Sequence, residues 1–196
     1  MGDSTRCKLF SLIEIYRALV DGMRTAPFLS KARRRGEIDH PFMERIMLAV
    51  TEVNGCAICS YAHSKMALNA GMSDSEIRKM MAGSFEDTPE EQLAAILFAQ
   101  HYAESRNKPD LSVWERLQER YGSTKADGIL GAVRIITMGN AMGIPWGSLC
   151  GRFRGKADPR SSIFYEIGSL FGMIIIFPIA VIHSVVLAAL RMPLIS

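Results

Sequence analysis

The chain is punctuated for helices. Stop and start signals recur along its 196 residues, and no stretch alternates apolar with polar side chains convincingly enough for a strand. Leu9 to Met23 reads as one amphipathic helix, interrupted by the polar run through Gly36 and Asp39. His40 to Val53 reads as a second, with Met43, Met47 and Val50 spaced for one face. Asn54-Gly55 ends it, because both residue types tolerate positive φ. A third helix runs from about Cys56 to Ala70 and stops at Gly71. Ser73 with Glu76, Thr88-Pro89 with Glu91, and Ser112 with Glu115 each match a capping box, the second with proline at the first helical position. Tyr121-Gly122 closes the helix that follows Ser112, and Ser123 or Thr124 opens another through Met138. The expected fold class is all-α, an antiparallel helical bundle with short loops.

Composition supports a folded chain. Hydrophobic residues make up 48%, enough for a sizeable core. A net charge of +3 gives little support to nucleic-acid binding, which usually needs a strong basic face, and the cluster Lys31, Arg33, Arg34 and Arg35 reads as a solvated turn. The N-terminal run MGDSTRCKLF lacks the apolar region of a secretory signal, so a cytoplasmic site is expected.

The last 35 or so residues differ from the rest. Ile167 to Leu190 contains no Asp, Glu, Lys or Arg, and at about 1.5 Å per residue it is long enough to cross a bilayer. Arg152, Arg154, Lys156 and Arg160 precede it and Arg191 follows. Two readings stay open: a helix buried between subunits, or membrane association with the catalytic domain in the cytoplasm. A helix apolar on all sides cannot be covered by one face of a small domain, so part of it must meet another chain or lipid. The expected organisation is a helical domain over 1–160 and an apolar helical segment over 161–196.

There are four cysteines: Cys7, Cys56, Cys59 and Cys150. They are too few for a secreted disulfide framework, and the pair three apart points to redox or metal chemistry. Cys56, Cys59 and His63 fall on one stripe of a helix. Cys56 starts that helix, where unsatisfied N–H groups and the macrodipole favour a thiolate. His63, one turn after Cys59, can take or hand over a proton. Such a pair suits a reversible disulfide, in which one thiolate attacks and the other thiol resolves. Zinc is the competitor, but these residues supply only three ligands and no second pair stands at finger spacing. His40, His101 and His183 have no cysteine in phase and read as scaffold groups. As relay acid, Glu44 and Glu52 are equal on residue type and position alone.

The string ERIMLAVTEVNGCAICSYAH, Glu44 to His63, is similar to the core of alkylhydroperoxidase D-like proteins of the carboxymuconolactone decarboxylase family. The likeness is specific over about Pro41 to Gly71 and diffuse to about Gly143. It implies that Cys59 is the peroxidatic cysteine, Cys56 the resolving one, and Glu44 with His63 the proton relay, acting through water. Helix-end electrostatics favours Cys56 as the reactive thiolate, whereas the resemblance favours Cys59; a base beside Cys59 can outweigh about 1 kcal/mol of end effect. Ile58 stands where some peroxidases of the family have a second histidine, which removes one relay member. The decarboxylase branch typically lacks the cysteine pair, so the resemblance points away from lactone decarboxylation. It implies a thiol-dependent peroxidase for hydrogen peroxide or organic hydroperoxides, with no cofactor because the cysteines carry the electrons. A dithiol reductant, lipoyl-bearing or thioredoxin-like, would restore them. The family also implies a homo-oligomer, a trimer or a multiple of it. The alternative is a non-catalytic redox-sensing or scaffold oligomer, which the apolar tail favours.

Overall fold

The computed structural model describes residues 9–195. Among them are eight α-helices and no strand: α1 (Leu12–Arg34), α2 (His40–Asn54), α3 (Ala57–Asn69), α4 (Asp74–Met81), α5 (Glu90–Glu104), α6 (Leu111–Tyr121), α7 (Ser123–Phe153) and α8 (Ile163–Ala189). Cys7 lies outside the described residues.

Local chemistry explains most boundaries. Ser11 and Glu14 form a reciprocal capping box that opens α1. Asp39 accepts from Phe42 N–H at 2.8 Å and caps α2, with Pro41 in its first turn. Gly55, at φ 66°, takes the left-handed position that ends α2. Ser73 accepts from Glu76 N–H at 3.1 Å and caps α4. Two expected caps move. Pro89 itself precedes α5, which starts at Glu90 and relies on Glu90 and Glu91 against the helix dipole. Asp110 precedes α6, so Ser112 is already inside its first turn.

Two helices outrun their expected ends because burial overrides propensity. α1 continues through Pro27 to Arg34, burying Thr25, Leu29 and Ala32. α7 continues past Met138 through Pro145 to Phe153, burying Ala141, Ile144 and Ser148 on the way. These two helices pack antiparallel: Gly22 meets Met138 and Arg134, while Gly131 meets Thr25 and Leu29. A Cβ at Gly131 would lie 2.9 Å from the Thr25 carbonyl oxygen and 3.0 Å from Leu29 Cβ, so only glycine permits this approach. α2 packs on α7 and α5, and α3 lies across α2 and the later half of α7. The main core gathers from α1, α2, α5 and α7, and a smaller cluster of Leu48, Ala67, Met72, Ile77 and Met80 seats α4.

α8 is built inside out. Its inward face carries Glu166, Ser169, Ala180 and Ser184, all buried, and Tyr16 Oη lies 2.7 Å from His183 Nδ1. Its outward face carries Phe164, Phe171, Ile174, Ile175, Ile182 and Val185, all exposed. Only 17% of its most apolar window is buried, although the helix has the length and hydropathy of a membrane span. At its start, Arg152 donates to Glu166 through Nε at 2.9 Å and Nη2 at 2.8 Å, and Ser161 Oγ adds a contact of 2.5 Å. The Arg152 hydrogen bonds hold the Glu166 carboxyl below the usual range, against the opposing effect of burial. This staple fixes α8 to α7.

Replacing Phe171, Ile174, Ile175 and Ile182 together with Gln or Glu should leave helix content unchanged, because their exposed side chains carry little of the chain's own packing. Circular dichroism checks that. Size-exclusion chromatography with and without detergent should show the wild-type chain assembling or needing detergent and the variant running as a monomer. Identical behaviour of the two chains would show that this face is covered by nothing outside the chain.

Candidate active site

α2 and α3 meet at the turn that carries the cysteine pair. Gly55 reverses the chain, and Cys56 becomes the N-cap of α3, its Sγ accepting from Cys59 N–H at 3.4 Å. The three-residue spacing brings the two Cα atoms to 5.3 Å, and the cysteines are joined as a disulfide. Both sulfur-bearing residues are buried against the main core. Cys150 is a free thiol, half-buried and elsewhere on α7.

Glu44, one face of α2 away, is fully buried. Its Oε2 lies 2.8 Å from His63 Nδ1 on α3, so the two residues that the resemblance assigns to a relay are in direct contact. In the tautomer that donates from Nδ1 to this carboxylate, Nε2 keeps a lone pair. The other carboxylate oxygen faces His40 Nε2 at 3.3 Å, within ion-pair range but without hydrogen-bond geometry. His40 therefore is not a remote scaffold group: its position four residues before Glu44 put it on the same helical face, and that was its sequence signal. His40 is 43% exposed and His63 16%, so the buried carboxylate is bracketed by one imidazole toward solvent and one toward the interior. His101 and His183 serve the scaffold, His101 Nε2 accepting from Asp110 N–H at 3.1 Å and His183 meeting Tyr16.

The third wall comes from α7. Cys59 Sγ lies 3.8 Å from the Gly139 carbonyl oxygen, which can accept an S–H once the pair is reduced. A Cβ at Gly143 would come within 2.8 Å of Cys59 Sγ and 3.0 Å of Cys56 Sγ. Next to these, Thr51 Oγ1 donates to Asn140 Oδ1 at 3.3 Å and ties α2 to α7. Gly139, Asn140 and Gly143 lie about eighty residues from the cysteines, beyond the reach of local pattern reading. Among the described residues no three His, Cys, Asp or Glu side chains converge on a common metal position, so the zinc reading gains no support.

The site is thus a Cys-x-x-Cys disulfide on an all-helical scaffold, next along α3 to a histidine held by a buried glutamate. Residues 22–101, which carry α2, α3 and every one of these side chains except those of α7, match the model of the carboxymuconolactone decarboxylase family. An uncharacterized protein of Bacillus subtilis (strain 168), YdfG, is 25% identical over 140 residues, 69% of this chain and 94% of its own length. No solved structure matches the chain significantly.

Gly143→Ala should destabilise the oxidised protein. Overpacking costs about 1–3 kcal/mol, against a gain of about 1 kcal/mol from better helix propensity. A net loss of up to about 2 kcal/mol in chemical denaturation is expected from those two magnitudes. Reducing the pair should narrow the difference, since the sulfurs can then move apart. Equal stability in both redox states would show that α7 does not press on the disulfide.

Proposed function

We propose that the protein is a thiol-dependent peroxidase acting on hydrogen peroxide or organic hydroperoxides. The observation that carries this reading is the 2.8 Å contact between the buried Glu44 carboxylate and His63, one helical turn after Cys59. In the reduced protein, His63 Nε2 takes the Cys59 proton, directly or through water, while Glu44 holds the ring and stabilises the imidazolium. The Cys59 thiolate attacks the terminal peroxide oxygen; the O–O bond breaks, and the alkoxide takes the proton from His63 and leaves as an alcohol. Cys59 is now a sulfenic acid. Cys56 attacks its sulfur, water leaves, and the Cys56–Cys59 disulfide results. An external dithiol reduces it and closes the cycle. Lipoyl-bearing and thioredoxin-like proteins are the reductant classes proposed, since each carries a dithiol that can exchange with the pair.

A redox-sensing role is the second reading, favoured by a specific connection. Arg160 Nη2, in the link between α7 and α8, donates to the Gly55 carbonyl oxygen at 3.2 Å, immediately before Cys56. A change at the disulfide is thereby joined to the segment that presents the apolar outward face of α8. On either reading the protein works as a homo-oligomer or at a membrane surface.

Steady-state peroxide consumption by the full chain with excess dithiol separates the two. A peroxidase turns over many times, a sensor oxidises once. Cys59→Ser should abolish turnover. Glu44→Gln and His63→Ala should each slow thiol oxidation by about 10²–10⁴-fold without unfolding the chain, whereas Glu52→Gln should do much less. A costly Glu52→Gln with a harmless Glu44→Gln would reassign the relay acid.

A further inference from the structure

A cavity of about 540 Å³ opens beside the disulfide, between the first turns of α3 and the last turns of α7. That volume lies in the range of small-molecule sites. Its apolar wall is made by Ile58, Tyr61 and Ile144, with Gly143 and Gly147 leaving the space that side chains would otherwise fill. Gly143 presents only hydrogens between the cavity and the two sulfurs, given the distances a Cβ there would meet. The rim is basic: Arg154, Lys156 and Arg160 line it with one acid, Asp158. Asp158 is already engaged by Arg160, at 2.7 Å through Nη2, and by Ser148 Oγ at 3.4 Å. The Arg160 hydrogen bonds hold its carboxyl below the usual range, so it stays a paired anion. Arg154 and Lys156 have no side-chain ion pair or hydrogen bond among the described residues, and both are exposed at the mouth.

We propose that this cavity binds a single-chain anionic amphiphile, its acid head on Arg154 and Lys156 and its chain along Ile58, Tyr61 and Ile144. The reasoning is chemical. An apolar floor with two unpaired cations at one end matches an alkyl chain ending in a carboxylate, and neither a neutral alkane nor a free inorganic anion uses both halves. On the peroxidase reading, on which the substrate role rests, the ligand is the hydroperoxide of a medium- or long-chain fatty acid. The chain then passes the sulfurs at Gly143, the hydroperoxide becomes a hydroxy acid plus water, and the electrons come from the Cys56–Cys59 dithiol. The residues that would choose this substrate lie on α7 and the α7–α8 link, except for Ile58 and Tyr61 of α3.

Cys150 lines the same cavity and supplies a readout independent of activity. The full-length oxidised chain is alkylated with N-ethylmaleimide in the presence of decanoate or decanol, and Cys150 modification is followed by peptide mass spectrometry. Decanoate should protect Cys150 saturably, at about tenfold lower concentration than decanol. The Arg154→Gln, Lys156→Gln double variant should raise the decanoate half-protection concentration about tenfold and leave that of decanol unchanged. Gly147→Val should weaken protection by both, by filling the floor. Equal protection by acid and alcohol, an unchanged double variant, or no protection by decanoate would each overturn the site. Protection by anionic phospholipid vesicles alone would also overturn it, and would make the rim a bilayer contact. If decanoate protects but fatty-acid hydroperoxides are not reduced, the peroxidase reading fails while the binding site stands.

Discussion

The close antiparallel contact of α1 and α7 is the constraint on which the other helices depend. Gly131 lets the backbones approach until Thr25 and Leu29 touch α7 directly, and that contact carries α7 straight through its own weak points at Gly139, Gly143 and Pro145. A broken α7 would leave the disulfide without its third wall. An unbroken one brings the Gly139 carbonyl and the bare Gly143 to the sulfurs, and its far end delivers Arg152 to Glu166. The cysteine site and the docking of α8 are thus both consequences of one unbroken helix.

The geometry of the candidate site is legible where it is local. Cys56, Cys59 and His63 share one helical stripe, and Glu44 meets His63 because α2 and α3 are joined by a single glycine turn that folds one face onto the other. His40 was also within reach, four residues before Glu44, but a search keyed to cysteine spacing passes over a histidine whose partner is a carboxylate. The contribution of α7 was not legible. Nothing local tells that a glycine at 143 lies against sulfurs at 56 and 59, and Pro145 with its neighbouring glycines argues locally for an ended helix. Two caps failed for a related reason: at Pro89 and Asp110 the chain enters the helix without any side-chain cap, so a matching Ser or Thr nearby identified the region but not the starting residue.

The site separates two tasks that a single thiol cannot perform. The buried Glu44 carboxylate and the His63 imidazole lie on α2 and α3, inside the segment that matches the carboxymuconolactone decarboxylase family. The cavity and its free cations lie mostly on α7 and the link that follows, outside it. On the proposed reading, proton handling and ligand choice rest on different parts of the chain, and one can change without disturbing the other.

The inside-out build of α8 makes the stability of this protein a property of its surroundings. Inward, the helix contributes a bidentate ion pair, a Tyr–His hydrogen bond and small residues; outward, it holds its largest apolar side chains in reserve. Folding alone collects little of their hydrophobic free energy. Whatever surface covers them adds stability by mass action, rising with the logarithm of its concentration over its dissociation constant. Where a second copy or a lipid surface covers this face, the melting temperature rises with protein or lipid concentration, and a dilution series reports on assembly as directly as on folding.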